Sequence, residues 1–281
     1  MLSYRHAFHA GNHADVLKHL ILLQIAQYMG EKPAAFWVID THAGAGRYAL
    51  DSAQANKLAE WRDGVGRLWD AKSLPPAAVD YLDFVKMLNP DGQLRHYPGS
   101  PWLAGQLLRD SDRLRLFELH STDIQYLQDC FKGAGRKVQI ANSDGFAGLK
   151  ALLPPPPRRA LVLIDPSYET KPDYANLIKA MQEALKRFAT GTYAIWYPML
   201  SKIESRQLPG RLKGLGAKNW LHATLEVSAP SPDGIGMYGS GMFIINPPWT
   251  LEKTLHETLP ALTSLLAQGP GAKYTLESEG D

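Results

Sequence analysis

Ala160-Leu161-Val162-Leu163-Ile164, followed by Asp165-Pro166-Ser167-Tyr168, is the stretch on which the fold turns. Five consecutive apolar residues read as a buried strand. The strand stops at an acid, a proline and a small hydroxyl residue, and an aromatic ring follows. Ligands of open α/β sheets sit beyond the carboxyl ends of the strands. The stretch therefore puts a carboxylate, an extended backbone and a ring at the edge of a cleft. A plain surface turn is the competing reading, because Asp, Pro and Ser all favour turns.

Upstream, residues 34–39 form a short apolar run that ends at Asp40, and Thr41-His42-Ala43-Gly44-Ala45-Gly46 follows. This reads as strand, glycine loop and then helix. Residues 113–119 read as a strand with Glu118 near its carboxyl end, and residues 123–132 as a helix. Residues 137–141 are a further strand, followed by Asn142-Ser143-Asp144-Gly145. The four prolines 154–157 make a stiff, extended lead into the opening strand. Downstream, a helix over 173–189 precedes a strand over 193–197 that stops at Pro198, and a helix over 201–212 comes next. Strands over 220–228 and 241–246 flank a loop rich in Pro, Gly and Ser. A last helix covers 251–267, and the tail from Gly269 is expected to be loose. About seven strands, mostly alternating with helices, argue for a doubly wound, mainly parallel sheet. The last two strands, joined without a helix, suggest an antiparallel hairpin at one edge.

Two segments stand apart from this rhythm. Asn12 can cap a helix with Asp15 in its first turn; Val16, Leu17, Leu20 and Ile21 begin its apolar stripe, Gly30 ends it, and Lys18 and His19 flank the stripe. Residues 49–95 carry apolar residues at helical spacing, broken by Pro75-Pro76. They read as an inserted helical subdomain, with residues 1–48 and 96–281 forming the core domain.

The 281 residues are 45% hydrophobic with a net charge of +2, so any basic footprint for nucleic acid must be local. Arg5, Lys18 and Arg47 are its candidates. A single cysteine, Cys130, excludes an intrachain disulfide and suggests a reducing, cytoplasmic setting. No apolar run reaches the length of a membrane span.

Gly44-Ala45-Gly46-Arg47-Tyr48-Ala49 fits the loose fingerprint G-x-G-x-x-[GA], in which backbone approaches a nucleotide closely. A nicotinamide oxidoreductase would want an acid about 20 residues further on, but that region falls in the insertion. Glu118 is the acid at the next strand end, positioned for ribose hydroxyls or simply exposed. Asp144 can accept an adenine amino group, with Gly145 leaving space, or the pair is an ordinary turn. If the ligand is S-adenosylmethionine, an acceptor amino group must be held by two hydrogen-bond acceptors that free its lone pair. The Asp165 carboxylate and the Pro166 carbonyl can do this, and Tyr168 can stack on the base, a contact of roughly 1–3 kcal/mol. His6, His9 and His13 lie close in sequence, but no acid or cysteine cluster supports a metal site.

Asp165-Pro166-Ser167-Tyr168 is similar to the D-P-P-Y motif of adenine-N6 methyltransferases. The N-terminus, from Met1-Leu2-Ser3-Tyr4-Arg5-His6 through Phe8 to His19, and Asp40 through Tyr48, together with Tyr97-Pro98-Gly99-Ser100-Pro101, resemble the large subunit methyltransferase J family of 23S rRNA adenine-N6 methyltransferases. The resemblance covers essentially the whole chain. It implies a Rossmann-like methyltransferase core with a helical insertion, acting on 23S rRNA. Methyl transfer needs no metal, and a monomer without membrane contact is the expectation. The resemblance also implies S-adenosylmethionine contacts at His19, His42, Ser100, Glu118, Asp144, Gly145 and Asp165, with Asp165 as catalytic acid. Tyr4 and Lys18 are implied beside the active site, toward the RNA. Ser167 departs from the family proline, which raises the expectation of a looser turn. A nicotinamide enzyme and a non-catalytic RNA-binding protein are the alternatives.

Overall fold

The computed structural model describes residues 5–280. Helix α1 (His13–Glu31) opens the fold, capped by Asn12, whose side-chain oxygen accepts from the Ala14 and Asp15 N–H groups. Strand β1 (Trp37–Asp40) follows, then β2 (Arg47–Ala49), α2 (Ala53–Leu58), α3 (Val65–Trp69), α4 (Pro76–Met87) and β3 (His96–Pro98). After them come α5 (Ser100–Leu107), β4 (Arg113–Phe117), α6 (Asp123–Cys130), β5 (Val138–Ala141), α7 (Gly145–Leu152) and β6 (Ala160–Ile164). The chain closes with α8 (Lys171–Arg187), β7 (Thr192–Met199), α9 (Ile203–Lys213), β8 (Trp220–Glu226), β9 (Gly239–Ile245), α10 (Leu251–Leu266) and β10 (Lys273–Glu279).

Eight strands form the main sheet in the order β10-β8-β9-β7-β6-β1-β4-β5. The run from β5 to β7 is parallel, and β9, β8 and β10 add antiparallel pairings. Strand β6 is buried at all five residues, as its unbroken apolar run requires for a central strand covered on both faces. The mainly parallel Rossmann-like architecture is therefore as expected.

Several local expectations are corrected. The hairpin of β8 and β9 is not at the edge, because the tail is a strand. Lys-Tyr-Thr-Leu-Glu-Ser-Glu alternates around Tyr274 and Leu276, pairs with β8, and is tied down by Trp220 Nε1 donating to Glu279 (2.7 Å). Gly30 lies inside α1, which runs on to Glu31. Pro198 lies inside β7; β6 ends opposite Ile195, so the proline falls where the strand has lost that neighbour and a missing N–H is tolerated. The proline run is not simply extended: Arg158 N–H donates to the Pro155 carbonyl in a turn (2.9 Å).

The largest correction concerns the glycine loop, which runs into a strand and not a helix. Gly46 has φ +80°, and its carbonyl accepts from Gly99 N–H (2.8 Å). Tyr48 then pairs with Tyr97 as β2 and β3 close the base of the insertion. Helix α5, beginning at Ser100, packs on β1 and β4 where a helix directly after the loop was expected. Val65, Leu68, Tyr81 and Val85 of the insertion share one apolar cluster with Leu17 and Leu20 of α1 and Leu255 of α10.

Candidate active site

The carboxyl ends of β1, β4, β5, β6 and β7 open into a cleft of about 620 Å³, within the range of small-molecule sites. His19, His42, Gly44, Ser100, Glu118, Asp144, Gly145, Asp165, Pro166 and Tyr168 all line it. Gly46 instead faces Leu127 and Cys130.

One half of the cleft is built by β1, β4 and the start of α7. The loop after β1 is lashed to both neighbouring strands: Thr41 N–H donates to the Leu163 carbonyl and Ala43 N–H to the Phe117 carbonyl (3.1 and 2.9 Å). Gly44, at φ +60°, donates its N–H to Glu118 Oε2 (2.7 Å), and Glu118 Oε1 accepts from His120 N–H (2.6 Å). Each oxygen keeps a lone pair for a ligand hydroxyl. Burial pushes the Glu118 carboxyl above its usual range. Asp144 caps α7, its Oδ1 accepting from Ala147 N–H (2.8 Å), so Oδ2 is not used by the cap. Gly145 does not leave room for a ring as expected. A Cβ there would meet the Thr41 carbonyl oxygen at 2.0 Å, so the glycine serves close approach of α7 to the β1 loop. The His42 ring stands edge-on to Phe146 with centroids 5.2 Å apart, and burial lowers its pKa, so it is neutral at pH 7.

Beneath this half, Ser100 Oγ donates to the buried Asp40 Oδ2 (2.7 Å) and His42 N–H donates to Asp40 Oδ1 (3.2 Å). Burial raises the Asp40 pKa to about 6. His19 lies within hydrogen-bond distance of the Tyr97 hydroxyl (2.8 Å), which in turn meets the Tyr81 hydroxyl of α4 (2.9 Å). Burial lowers the His19 pKa to about 3, so the ring is neutral.

The other half centres on Asp165. Lys18 does not sit at the margin of a surface stripe, because α1 is buried on every side at this level. Its ammonium reaches Asp165 Oδ2 (2.5 Å) and Asp15 Oδ1 (3.0 Å). Burial opposes the charge on Lys18, but the two carboxylates outweigh it and raise its pKa further. Asp15 also accepts from Gly11 N–H (2.9 Å) and lies 2.8 Å from His6 Nε2. Burial opposes its ionisation, yet His6 and Lys18 hold its carboxyl well below the usual range. Lys18 thus serves Asp165 rather than projecting toward a polyanion.

Tyr168 is likewise not a projecting ring. It is 2% exposed, has φ +52°, and donates its hydroxyl to the Trp196 carbonyl (2.5 Å). Such a conformation costs about 1–3 kcal/mol and persists where the surroundings fix it; here Tyr174, at 4.8 Å between centroids, and the hydroxyl bond do so. Arg5 lies 3.8 Å from Asp123, at the start of α6. Tyr4 lies outside the described residues. The N-terminal histidines pair separately: His6 with Asp15, and His9 with Glu60 of the insertion (3.0 Å). The Glu60 hydrogen bond raises the His9 pKa.

Sequence reasoning missed Glu60, Phe146 and Trp196, and read Asp15 only as a first-turn helix acid and Asp40 only as a strand end. Glu60 and Phe146 lay in helical segments with no local pattern to mark them. For Asp40, its place one strand over from Glu118 was the available signal.

A family model described as "Ribosomal RNA large subunit methyltransferase D, RlmJ" matches residues 33–277. A protein of Haemophilus influenzae is 46% identical over 278 residues, spanning 99% of this chain and 98% of its own. One from Escherichia coli is 47% identical over 266 residues, spanning 95% and 94%. Both carry the name ribosomal RNA large subunit methyltransferase J. A crystal structure of a Legionella pneumophila protein superposes with a TM-score of 0.88 at 35% identity, covering 97% of this chain and 99% of that one.

Proposed function

The chain belongs to the ribosomal RNA large subunit methyltransferase J family, and from that premise we propose that it methylates the exocyclic N6 of an adenine in 23S rRNA with S-adenosylmethionine as donor. The observation that carries the reading is Asp165, fixed by Lys18 in the same cleft as Glu118 and the β1 loop. The donor set fits the cofactor. Glu118 has free lone pairs for ribose hydroxyls, Asp144 can accept an adenine amino group, and the Phe146 and His42 rings form the wall between them. His19 and Ser100 supply polar contacts toward the amino-acid end, and Gly44, Gly46 and Gly145 give the backbone its tight course.

S-adenosylmethionine supplies an activated methyl group on a sulfonium centre. The protein must offer it a nitrogen lone pair. Lys18 occupies Asp165 Oδ2, so Oδ1 is the oxygen left to accept an N–H from the target amino group. The Pro166 carbonyl accepts the second, which draws the nitrogen out of conjugation with the ring. The proton released on methylation passes to Asp165 or to solvent. Tyr168, locked by Trp196 and Tyr174, presents a fixed wall for the base. Arg5 and Tyr4 are proposed as RNA contacts near the cleft mouth. The insertion is proposed as a subdomain of the enzyme, and the enzyme as a cytoplasmic monomer that needs no metal.

The nicotinamide alternative loses its basis, because the fingerprint loop leads into β2 instead of the helix that would face a pyrophosphate. The test uses unmodified 23S rRNA, labelled S-adenosylmethionine and Asp165→Ala. Transfer to one adenine by the wild-type chain, lost in the variant while calorimetric S-adenosylmethionine binding persists, is the expected result. Transfer retained by the variant, or wild-type binding of NAD in place of S-adenosylmethionine, sinks the assignment.

A further inference from the structure

The loop between β8 and β9 takes no part in the methyl-transfer step. It is brought to the cleft by sheet register. Gly239 pairs with Met199 at the end of β7, and β7 runs parallel to β6, so residues 227–238 emerge where Asp165 lies. Tyr238 N–H donates to the Met199 carbonyl (3.2 Å), and Gly236 and Met237 line the cleft beside Asp165 and Tyr168.

The tip of this loop is Ile235, 75% exposed. It stands between Gly234 (φ +72°) and Gly236 (φ +92°). Its N–H donates to Asp233 Oδ1 (2.9 Å), and Gly234 N–H donates to the Ser231 carbonyl (2.8 Å), so the turn is preformed. An isolated apolar side chain held out on a built turn at a cleft rim is not explained by packing. The adjoining start of α9 carries a second exposed apolar residue, Ile203, between Lys202 and Arg206, both exposed. Lys171 takes Glu204 (3.0 Å), and among the described residues neither Lys202 nor Arg206 is in an ion pair. This rim therefore joins apolar tips to exposed cations, a combination suited to a nucleic-acid backbone with an opened base step.

We propose that this rim grips the RNA flanking the target adenine, with Ile235 as the wedge that fills the stack vacated by the extruded base and Lys202 and Arg206 on the adjoining phosphates. The inference rests on the adenine-methylation reading. A base must leave its stack to reach Asp165, at an unstacking cost that falls when the base is already unpaired. Apolar wedges inserted at base steps offset that cost. Cations on phosphates add affinity that salt weakens.

The experiment compares wild type, Ile235→Ala and the double variant Lys202→Gln/Arg206→Gln on two RNAs. One is a folded 23S rRNA fragment with the target adenine stacked, and the other has the same flanks with that adenine in an open bulge. Ile235→Ala should lower kcat/KM roughly ten-fold on the folded RNA and several-fold less on the bulged RNA. It should also reduce the fluorescence rise of 2-aminopurine placed at the target site. The double variant should lower the slope of log affinity against log salt by about two. S-adenosylmethionine affinity and melting temperature report that each variant is folded. Equal losses on the two RNAs, or no loss, overturn the wedge, and an unchanged salt slope overturns the phosphate contacts. Absence of transfer by the wild-type chain itself would instead remove the methylation reading, and this inference with it.

Discussion

Replacing Lys18 by methionine tests the arrangement at the heart of the site. Methionine matches the stem from Cβ to Cε and removes the ammonium, with its charge and its hydrogen bonds to Asp165 and Asp15. The Lys18 side chain is 5% exposed, and its ammonium lies 3.0 Å from Asp15 and 2.5 Å from Asp165. A unit-charge pair at 3.0 Å attracts by about 5–6 kcal/mol at an effective dielectric of about 20. Removing one member of a buried pair costs about 3–5 kcal/mol, because a desolvated charge is left behind. For a chain of this size that is a fall of about 6–10 °C in melting temperature. The pH dependence separates this cause from poor packing. In the wild type the depressed Asp15 pKa contributes stability that is present above about pH 4 and lost only in stronger acid. The raised Lys18 pKa contributes stability through neutral pH, lost only at strongly alkaline pH. Without Lys18 the balance at Asp15 tips to burial, which favours its protonated form. The deficit of the variant should therefore be largest at pH 7–8 and shrink as the pH falls toward 5. Lys18→Met/Asp15→Asn should recover part of the loss. Thermal melts across that range read the result. A melting point within about 2 °C of wild type, or a deficit that does not change with pH, would refute the reasoning.

Other perturbations follow from single contacts. Asp40→Asn keeps both hydrogen bonds, since the amide oxygen can accept from His42 N–H and the amide nitrogen can donate to Ser100. With the Asp40 pKa raised to about 6, this group makes wild-type stability decline as pH rises from about 4 to 6, and the variant should lose that decline in urea titrations. Gly145→Ala forces a Cβ to within 2.0 Å of the Thr41 carbonyl oxygen, so it should cost about 1–3 kcal/mol and weaken S-adenosylmethionine binding in calorimetry. Ser167→Pro completes the D-P-P-Y pattern that this stretch resembles, stiffens the turn after Pro166 and should raise the rate of methyl transfer; equal rates would refute that effect. Phe146→Ala should raise the S-adenosylmethionine dissociation constant about ten-fold with little change in the pH profile, through loss of the ring wall beside His42.

The strand ends were legible in the sequence because the signal for them is local. An unbroken apolar run followed by an acid and turn residues needs only its own neighbours to be read, and Asp40 and Asp165 were found this way; Glu118 and Asp144 were found at the ends of short strands of mixed pattern. The glycine loop was legible as a tight turn, and Asn12 as a helix cap, for the same reason. What followed the loop was not. Whether Arg47 begins a helix or a strand depends on Tyr97, which pairs with Tyr48 across the entire insertion. The tail was misread because Tyr274 and Leu276 gain their value only once β8 stands beside them.

The sequence by itself determined a mainly parallel sheet with acids at the ends of its strands, since periodicity and turn chemistry act over a few residues. The tertiary structure alone decided what those acids do. Lys18 and Asp165 are 147 positions apart and meet because α1 is buried across the cleft. Tyr168 turns inward because Trp196 and Tyr174 are there to receive it. Glu60 reaches back to His9 from the insertion. Such partners are chosen by packing and by the cost of leaving a charge or a polar group unpaired out of water.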